Sequence, residues 1–366
     1  MKYSKTELLL IWINGLTNFD YRHKKFLFDM LENSDAISKT LTENKKAVVD
    51  VIGEERFNLL IESANSENLK NIIVELVDNG IQAVTIKSEG YPEKLLALEE
   101  PPLCLYAKGD ISLLKSQKTL AVVGSRKSLT SSIKTCEEYV KAVSDCDITV
   151  VTGIAEGIDV TAIKTVLNGS GKVISVIAGG LDSIYPKPHT EISEKVIKKG
   201  LLLSEQAIGV KSQPFMFPFR NRIIAGLGDK TLVVSAGEKS GTLHTAHYAT
   251  KLKRELYAIP FGLGVQSGVG CNNLIKKGAR LTDNPSDILS AFGVEKKEKV
   301  HLQLTDEERG VVNAIKEGNT HIEKIAERTG KKAFTLFPVI SMLEIKGIIV
   351  KNGVNVYGLT VNGLEE

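Results

Sequence analysis

Glycine-containing turns recur in this chain at places where chemistry could be done. Val123-Gly124-Ser125-Arg126 combines a residue that permits a tight turn, a hydroxyl with a loop amide, and a forked cation suited to phosphate oxygens. Thr152-Gly153-Ile154-Ala155-Glu156-Gly157-Ile158-Asp159 is a second such turn, and Ala178-Gly179-Gly180-Leu181-Asp182 a third. In the fourth, Ser235-Ala236-Gly237-Glu238-Lys239-Ser240-Gly241-Thr242, small hydroxyl residues and glycine stand ahead of a helical stretch, as in an anion nest. Any one of these is explained as well by a plain strand-to-helix connection. Four at one edge of a sheet would line a floor of backbone amides. The candidates on that floor are Gly124, Ser125, Arg126, Gly153, Gly179, Gly180, Ser240, Gly241 and Thr242.

The segment from Pro214 to Gly226 adds a different chemistry. Phe215, Phe217 and Phe219 alternate ahead of Arg220, Asn221 and Arg222. Unpaired nucleic acid is held by base stacking on aromatics together with cations for its backbone, and both ingredients sit here within eight residues. The competing reading is a loop whose phenylalanines enter the core while the arginines are solvated.

Other chemistries find less support. The two glycines of Gly153–Gly157 are four apart, so the dinucleotide G-x-G-x-x-G spacing is missing, and no G-K-[ST] phosphate loop occurs. A nicotinamide or flavin dehydrogenase and an ATPase are thereby disfavoured. His244 and His247 stand one helical turn apart, but no Glu lies where a metallohydrolase needs one and no third ligand is evident, so they read as ordinary surface histidines. Glu156, Asp159 and Asp182 could each supply a carboxylate acid or base, and helix capping explains them equally well. No catalytic residue, metal or cofactor is assigned.

The elements that position these residues follow from the apolar pattern. At 366 residues the chain exceeds one ordinary domain, and 42% hydrophobic with 25% charged residues excludes a disordered, collagen-like or coiled-coil protein. A net charge of +3, from 47 basic and 44 acidic residues, requires any nucleic-acid contact to come from a local patch. The four cysteines have no C-x-x-C pair and read as reduced thiols. Leu8–Ile13 is too short to span a bilayer, follows Glu7 and precedes no cleavage site, so a cytoplasmic location is expected.

Residues 1–80 show helical periodicity without strand signals, which begin at Ala83-Val84-Thr85-Ile86. Residues 81–293 alternate apolar runs with helical stretches such as Ser131–Ser144 and Thr242–Arg254. The runs are Leu120–Val123, Ile148–Val151, Val173–Ile177, Leu201–Leu203, Leu232–Val234 and Leu256–Ile259. That alternation predicts an α/β, doubly wound, largely parallel sheet. Gly293–Lys299 is a charged linker. Residues 304–366 hold three helical stretches, Thr305–Lys316, Ile322–Thr329 and Ala333–Ile345, then two short strands around Asn352-Gly353, the order of a winged helix.

Read together, these pieces resemble the DNA-processing protein A family (DprA, or Smf) of bacterial natural transformation. The resemblance rests on the first three turns quoted above, the third extended through Ser183-Ile184-Tyr185-Pro186. It rests also on Ser204-Glu205, Phe217–Leu227, Ser240–Ala246 and Gly270-Cys271-Asn272-Asn273-Leu274-Ile275, roughly residues 120 to 285. Gly90-Tyr91-Pro92 and Pro101-Pro102-Leu103 are also similar. The resemblance implies an extended Rossmann-like domain that serves as a binding platform and as a dimer interface. Before it would come a small helical domain of sterile-alpha-motif or helix-hairpin type. It implies a non-enzymatic protein that binds incoming single-stranded DNA, shields it from nucleases and helps load the RecA recombinase. Arg126 would contact phosphate, and Phe217, Arg220 and Asn221 would lie in the family's strand-binding loop, with Lys211 a further contact. Leu129-Thr130-Ser131-Ser132 and Phe219 depart from the family's usual residues there. Two alternatives remain at this point. One is a nucleotide phosphoribohydrolase on the same broad fold, whose Pro-Gly-Gly-x-Gly-Thr signature is only echoed. The other is a transcription regulator acting through the C-terminal domain.

Overall fold

In a computed structural model of the chain, which describes residues 3–294 and 304–360, the apolar runs become strands of one nine-stranded sheet. They are β1 (Gln82–Thr85), β2 (Cys104–Gly109), β3 (Thr119–Gly124), β4 (Thr149–Thr152) and β5 (Val173–Val176). The remaining four are β6 (Leu201–Ser204), β7 (Lys230–Ser235), β8 (Glu255–Ala258) and β9 (Arg280–Leu281). Their spatial order is β1-β2-β6-β5-β4-β3-β7-β8-β9. Every pairing from β6 to β9 is parallel, whereas β1 and β2 extend the β6 edge antiparallel. The doubly wound α/β expectation therefore holds, with an antiparallel extension the six apolar runs did not announce. Tyr91, buried beside that extension, donates its hydroxyl to the Pro102 carbonyl at 2.8 Å, which joins the two proline-containing motifs.

Alternation along the strands builds two cores, one on each face. Leu120 and Val122, Leu202, and Leu232 and Val234 face the layer of helices Thr130–Ser144, Ile158–Asn168 and Thr190–Lys199. Ala121 and Val123, Leu201 and Leu203, and Val233 face the layer containing helices Met216–Leu227, Thr242–Lys251 and Val269–Lys276. Burial on both sides is why these strands read as continuous apolar runs.

The chain divides into two compact units, Met1–Val294 and Glu295–Glu366. In the first, helices between Lys5 and Ser63 enclose their own core around Leu10, Trp12, Leu27 and Leu60. Helix Ser66–Asp78 hands Leu76 to the sheet core, and the Asn14 amide donates to the Glu205 carbonyl at 2.8 Å. In the second unit, helices Asp306–Lys316, Ile322–Thr329 and Ala333–Ile345 precede a hairpin of β10 (Ile349–Gly353) and β11 (Val356–Leu359). The hairpin turns at Val354-Asn355, not at Asn352-Gly353, and Asn355 takes the left-handed backbone, φ 57°, that such a turn needs. Most of the expected linker, 295–299, lies outside the described residues. Among the described residues no helix is long and apolar enough to cross a membrane.

Candidate nucleic-acid interface

The strand order reverses at β3: β4, β5 and β6 lie to one side of it and β7, β8 and β9 to the other. Connections from the carboxyl ends of β3 and its neighbours must part there and leave a crevice. A cavity of about 630 Å³ occupies that position. Its lining brings together Gly124, Ser125, Arg126, Phe217, Arg220, Asn221, Ser240, Gly241 and Thr242. Three of its side chains are cationic, Arg126, Lys127 and Arg220, against the one carboxylate of Asp159.

Most of the glycines hold the site together and do not form its floor. The space a Gly153 side chain would need is filled by the Asp159 carboxylate and the Arg220 guanidinium. Gly157 has φ +85°, and a Cβ there would lie 2.3 Å from the Ser125 carbonyl oxygen, so its bare backbone lets the β3 turn rest on the β4 turn. Ile158 fills the space beside Gly124 in the same way. Gly179 and Gly180 are sealed beneath the 207–212 segment and do not reach the cavity, nor does Gly153 or the exposed Lys211. Ser125 is also committed internally: its amide donates to Ser235 Oγ at 3.2 Å and its hydroxyl to the Lys127 carbonyl at 3.1 Å. The expected floor of amides shrinks to the Ser240-Gly241-Thr242 turn, which opens helix Thr242–Lys251.

Phe217, Arg220 and Asn221 stand on helix Met216–Leu227 and not on a loop. Helical geometry explains why Arg220 and Arg222 part company, since two residues turn the helix by about 200°. Arg220 faces the cavity and donates to the Val176 carbonyl; its Nε donates to Asn221 Oδ1 at 3.1 Å, and Asn221 donates to the Gly241 carbonyl at 3.3 Å. Arg222 lies outside the cavity, buried, paired with Glu205 at 2.6 Å and stacked 4.0 Å from the Phe219 ring centre. The three phenylalanines likewise diverge. Phe215 is 71% exposed, Phe219 covers Arg222, and Phe217 enters the cavity. There the Arg126 guanidinium lies 5.3 Å from the Phe217 ring centre, and Tyr185 meets the same ring edge-on at 6.0 Å. Tyr185, Lys127 and Pro214 are lining residues to which the sequence assigned no role.

Electrostatics beneath this surface are tuned by burial. Burial pushes the Asp159 carboxyl up to about 6, against the opposing pull of Arg220, the Ala155 amide, the Thr152 hydroxyl and Arg126. Burial brings Arg220 down to about 10; Asp159 resists that and Arg126 adds to it. Arg220 thus remains a cation at neutral pH, fixed and partly offset, while Arg126 is exposed and forms no ion pair among the described residues. His244 and His247 are both exposed on helix Thr242–Lys251. Among the described residues no cluster of three metal-ligating side chains occurs. Burial raises the thiols of Cys104, Cys136 and Cys271.

Comparison with known proteins gives a consistent result. The family model described as DNA recombination-mediator protein A matches residues 82–293, more than half of the chain. The DNA processing protein DprA of Bacillus subtilis is 34% identical over 220 residues, which is 60% of this chain and 74% of that protein. The crystal structure of DNA processing protein A from Streptococcus pneumoniae superposes with a TM-score of 0.65 at 30% identity, covering 79% of this chain and 98% of that one. DNA processing protein A from Helicobacter pylori, a structure that concerns its single-stranded DNA binding mode, gives a TM-score of 0.53 at 27% identity. It covers 58% of this chain and 95% of that one.

Proposed function

Since this chain belongs to the DNA recombination-mediator protein A family, we propose that the crevice at the β3 switch point is its binding site for single-stranded DNA. One observation carries the reading. An exposed guanidinium, Arg126, lies against an aromatic face, Phe217, in a cavity with a cationic surplus. Phosphate wants the cation and an unpaired base wants the ring. Arg126 and Lys127 contact the strand's phosphates, Phe217 and Tyr185 stack its bases, and Asn221 hydrogen-bonds it. The turn at Ser240, Gly241 and Thr242, at the positive end of its helix, receives a second phosphate. Arg220 supplies fixed positive potential from below.

On this reading the protein is a cytoplasmic binder and not an enzyme. It protects incoming single strands during natural transformation, loads the RecA recombinase onto them, and works as a homodimer through the sheet-containing unit. The H. pylori relative's single-stranded DNA binding supports the ligand class. Fluorescence anisotropy with an oligo-dT strand and a duplex of equal length, across a salt series, tests the reading. The expected result is clear preference for the single strand and a linear fall of log affinity with log salt. Equal affinity for both, or release of free base from nucleoside monophosphates, would overturn it.

A further inference from the structure

In a winged helix the third helix is the one expected to read DNA, and here that helix has the wrong surface for it. Helix Ala333–Ile345 buries Leu336, Ile340 and Leu343 against its own unit. Its opposite face exposes Phe334 (68%), Phe337 (44%), Met342 (47%) and Ile345 (79%), with Ser341 exposed among them. Spacings of three and four residues, from Phe334 to Phe337, Ser341 and Ile345, place these side chains in one stripe about 16 Å long, with Met342 along its edge. The stripe itself offers one serine hydroxyl and no cation, and the exposed Thr335 hydroxyl beside it is already donated to the Lys332 carbonyl at 2.7 Å, a poor surface for reading base edges or holding phosphates. Of the two lysines ahead of the helix, Lys331 is ion-paired with Glu307 and Lys332 stands exposed at the N-cap position. A contiguous apolar surface of this kind marks a protein-docking face.

We propose that the occupant is a second copy of this chain, docked through the same helix, antiparallel, about a twofold axis near Pro338 and Ser341, a contact additional to the dimer interface proposed for the sheet-containing unit. The charges at the helix ends argue for that occupant. Lys332 stands at the N-cap position, without a side-chain capping bond, and Glu344 stands next to the last residue, and neither has an ion-pair partner among the described residues. An antiparallel pair sets each Lys332 beside the other copy's Glu344, twice by symmetry, and opposes the two helix dipoles. A parallel pair would bring like ends together. The small Ser341 at mid-stripe leaves room for Phe337 of the second copy, while Phe334 meets Met342 and Ile345.

Cysteine cross-linking of the full chain tests this. Ser341→Cys, under mild oxidation, should give a covalent dimer, and Lys324→Cys on the exposed side of helix Ile322–Thr329 should not. Adding Ile345→Glu to Ser341→Cys should lower the yield at least tenfold while leaving oligo-dT affinity unchanged. Lys332→Glu should also lower the yield, and Lys332→Glu with Glu344→Lys should restore it. Equal cross-linking at both cysteine positions, or no cross-link at Ser341→Cys, would each overturn the proposal. So would loss of duplex-DNA binding on Ile345→Glu with the cross-link intact. Oligo-dT affinity is read on the same samples, so failure of the crevice as a strand site is seen separately.

Discussion

Arg126 and Phe217 touch each other before any ligand arrives, so their contributions cannot be independent. Arg126→Ala should weaken oligo-dT binding by about 1–3 kcal/mol and lower the log–log salt slope by about 0.7, as for one lost phosphate contact. Phe217→Ala should cost about 1–3 kcal/mol with little change in slope. A double-mutant cycle should show non-additivity, and strictly additive losses would refute a shared role. Asp159 makes a pH prediction. Its folded-state value near 6 lies above the ordinary 3.8, so its contribution to stability is full below about 3.8 and is lost as pH rises through about 6. Protonation also leaves Arg220 less compensated. Oligo-dT affinity should therefore rise as pH falls from 7.5 to 5.5, and Asp159→Asn should flatten that profile, as titrations at fixed ionic strength can measure. Arg222 shows the limit of sequence reading at this scale. Its type matched a strand contact, but its direction depended on the helical phase of a segment whose prolines and alternating aromatics do not read as a helix.

At the scale of elements the apolar runs were legible because parallel strands buried on both faces leave no alternative pattern. All six runs fall on strands β3 to β8, and the three C-terminal helices lie where their periodicity put them. β2 and β9 were not legible, one mixing Cys104, Tyr106 and Lys108 and the other only two residues long. The glycine turns were recognised, but not which of them face the ligand, because burial by a remote segment such as 207–212 leaves no local trace. Gly157→Ala should displace the β3 turn, since the backbone there is left-handed and a Cβ would strike the Ser125 and Arg126 carbonyls. The expected outcome is lost strand affinity in a protein that still folds, checked by circular dichroism beside the anisotropy titration. In the second unit, Glu308 is buried, caps its own helix and accepts from Lys346 at 2.6 and 2.8 Å. Burial pushes its carboxyl upward, but Lys346 and the Thr305 amide outweigh that and hold it below the ordinary value. Lys346→Ala should cost that unit roughly 2–3 kcal/mol, measured by denaturant unfolding. The loss should shrink as the solution is acidified through the depressed carboxyl value.

At the scale of the whole molecule, every residue of the proposed strand site belongs to the first compact unit. A chain ending at Val294 should therefore retain its oligo-dT affinity within about twofold, and a larger loss would give the second unit a direct part in strand binding. If the crevice holds a strand as proposed, the Arg126–Phe217 stack bears on how the molecule would tell one form of DNA from another. A guest nucleobase that stacks on the face Arg126 occupies must trade places with the guanidinium resting there. Bases locked inside a double helix have their faces occupied by neighbours and cannot make the exchange. On that reading the free protein would impose a toll that loose strands can meet and intact duplexes cannot, a selectivity present before any sequence is read.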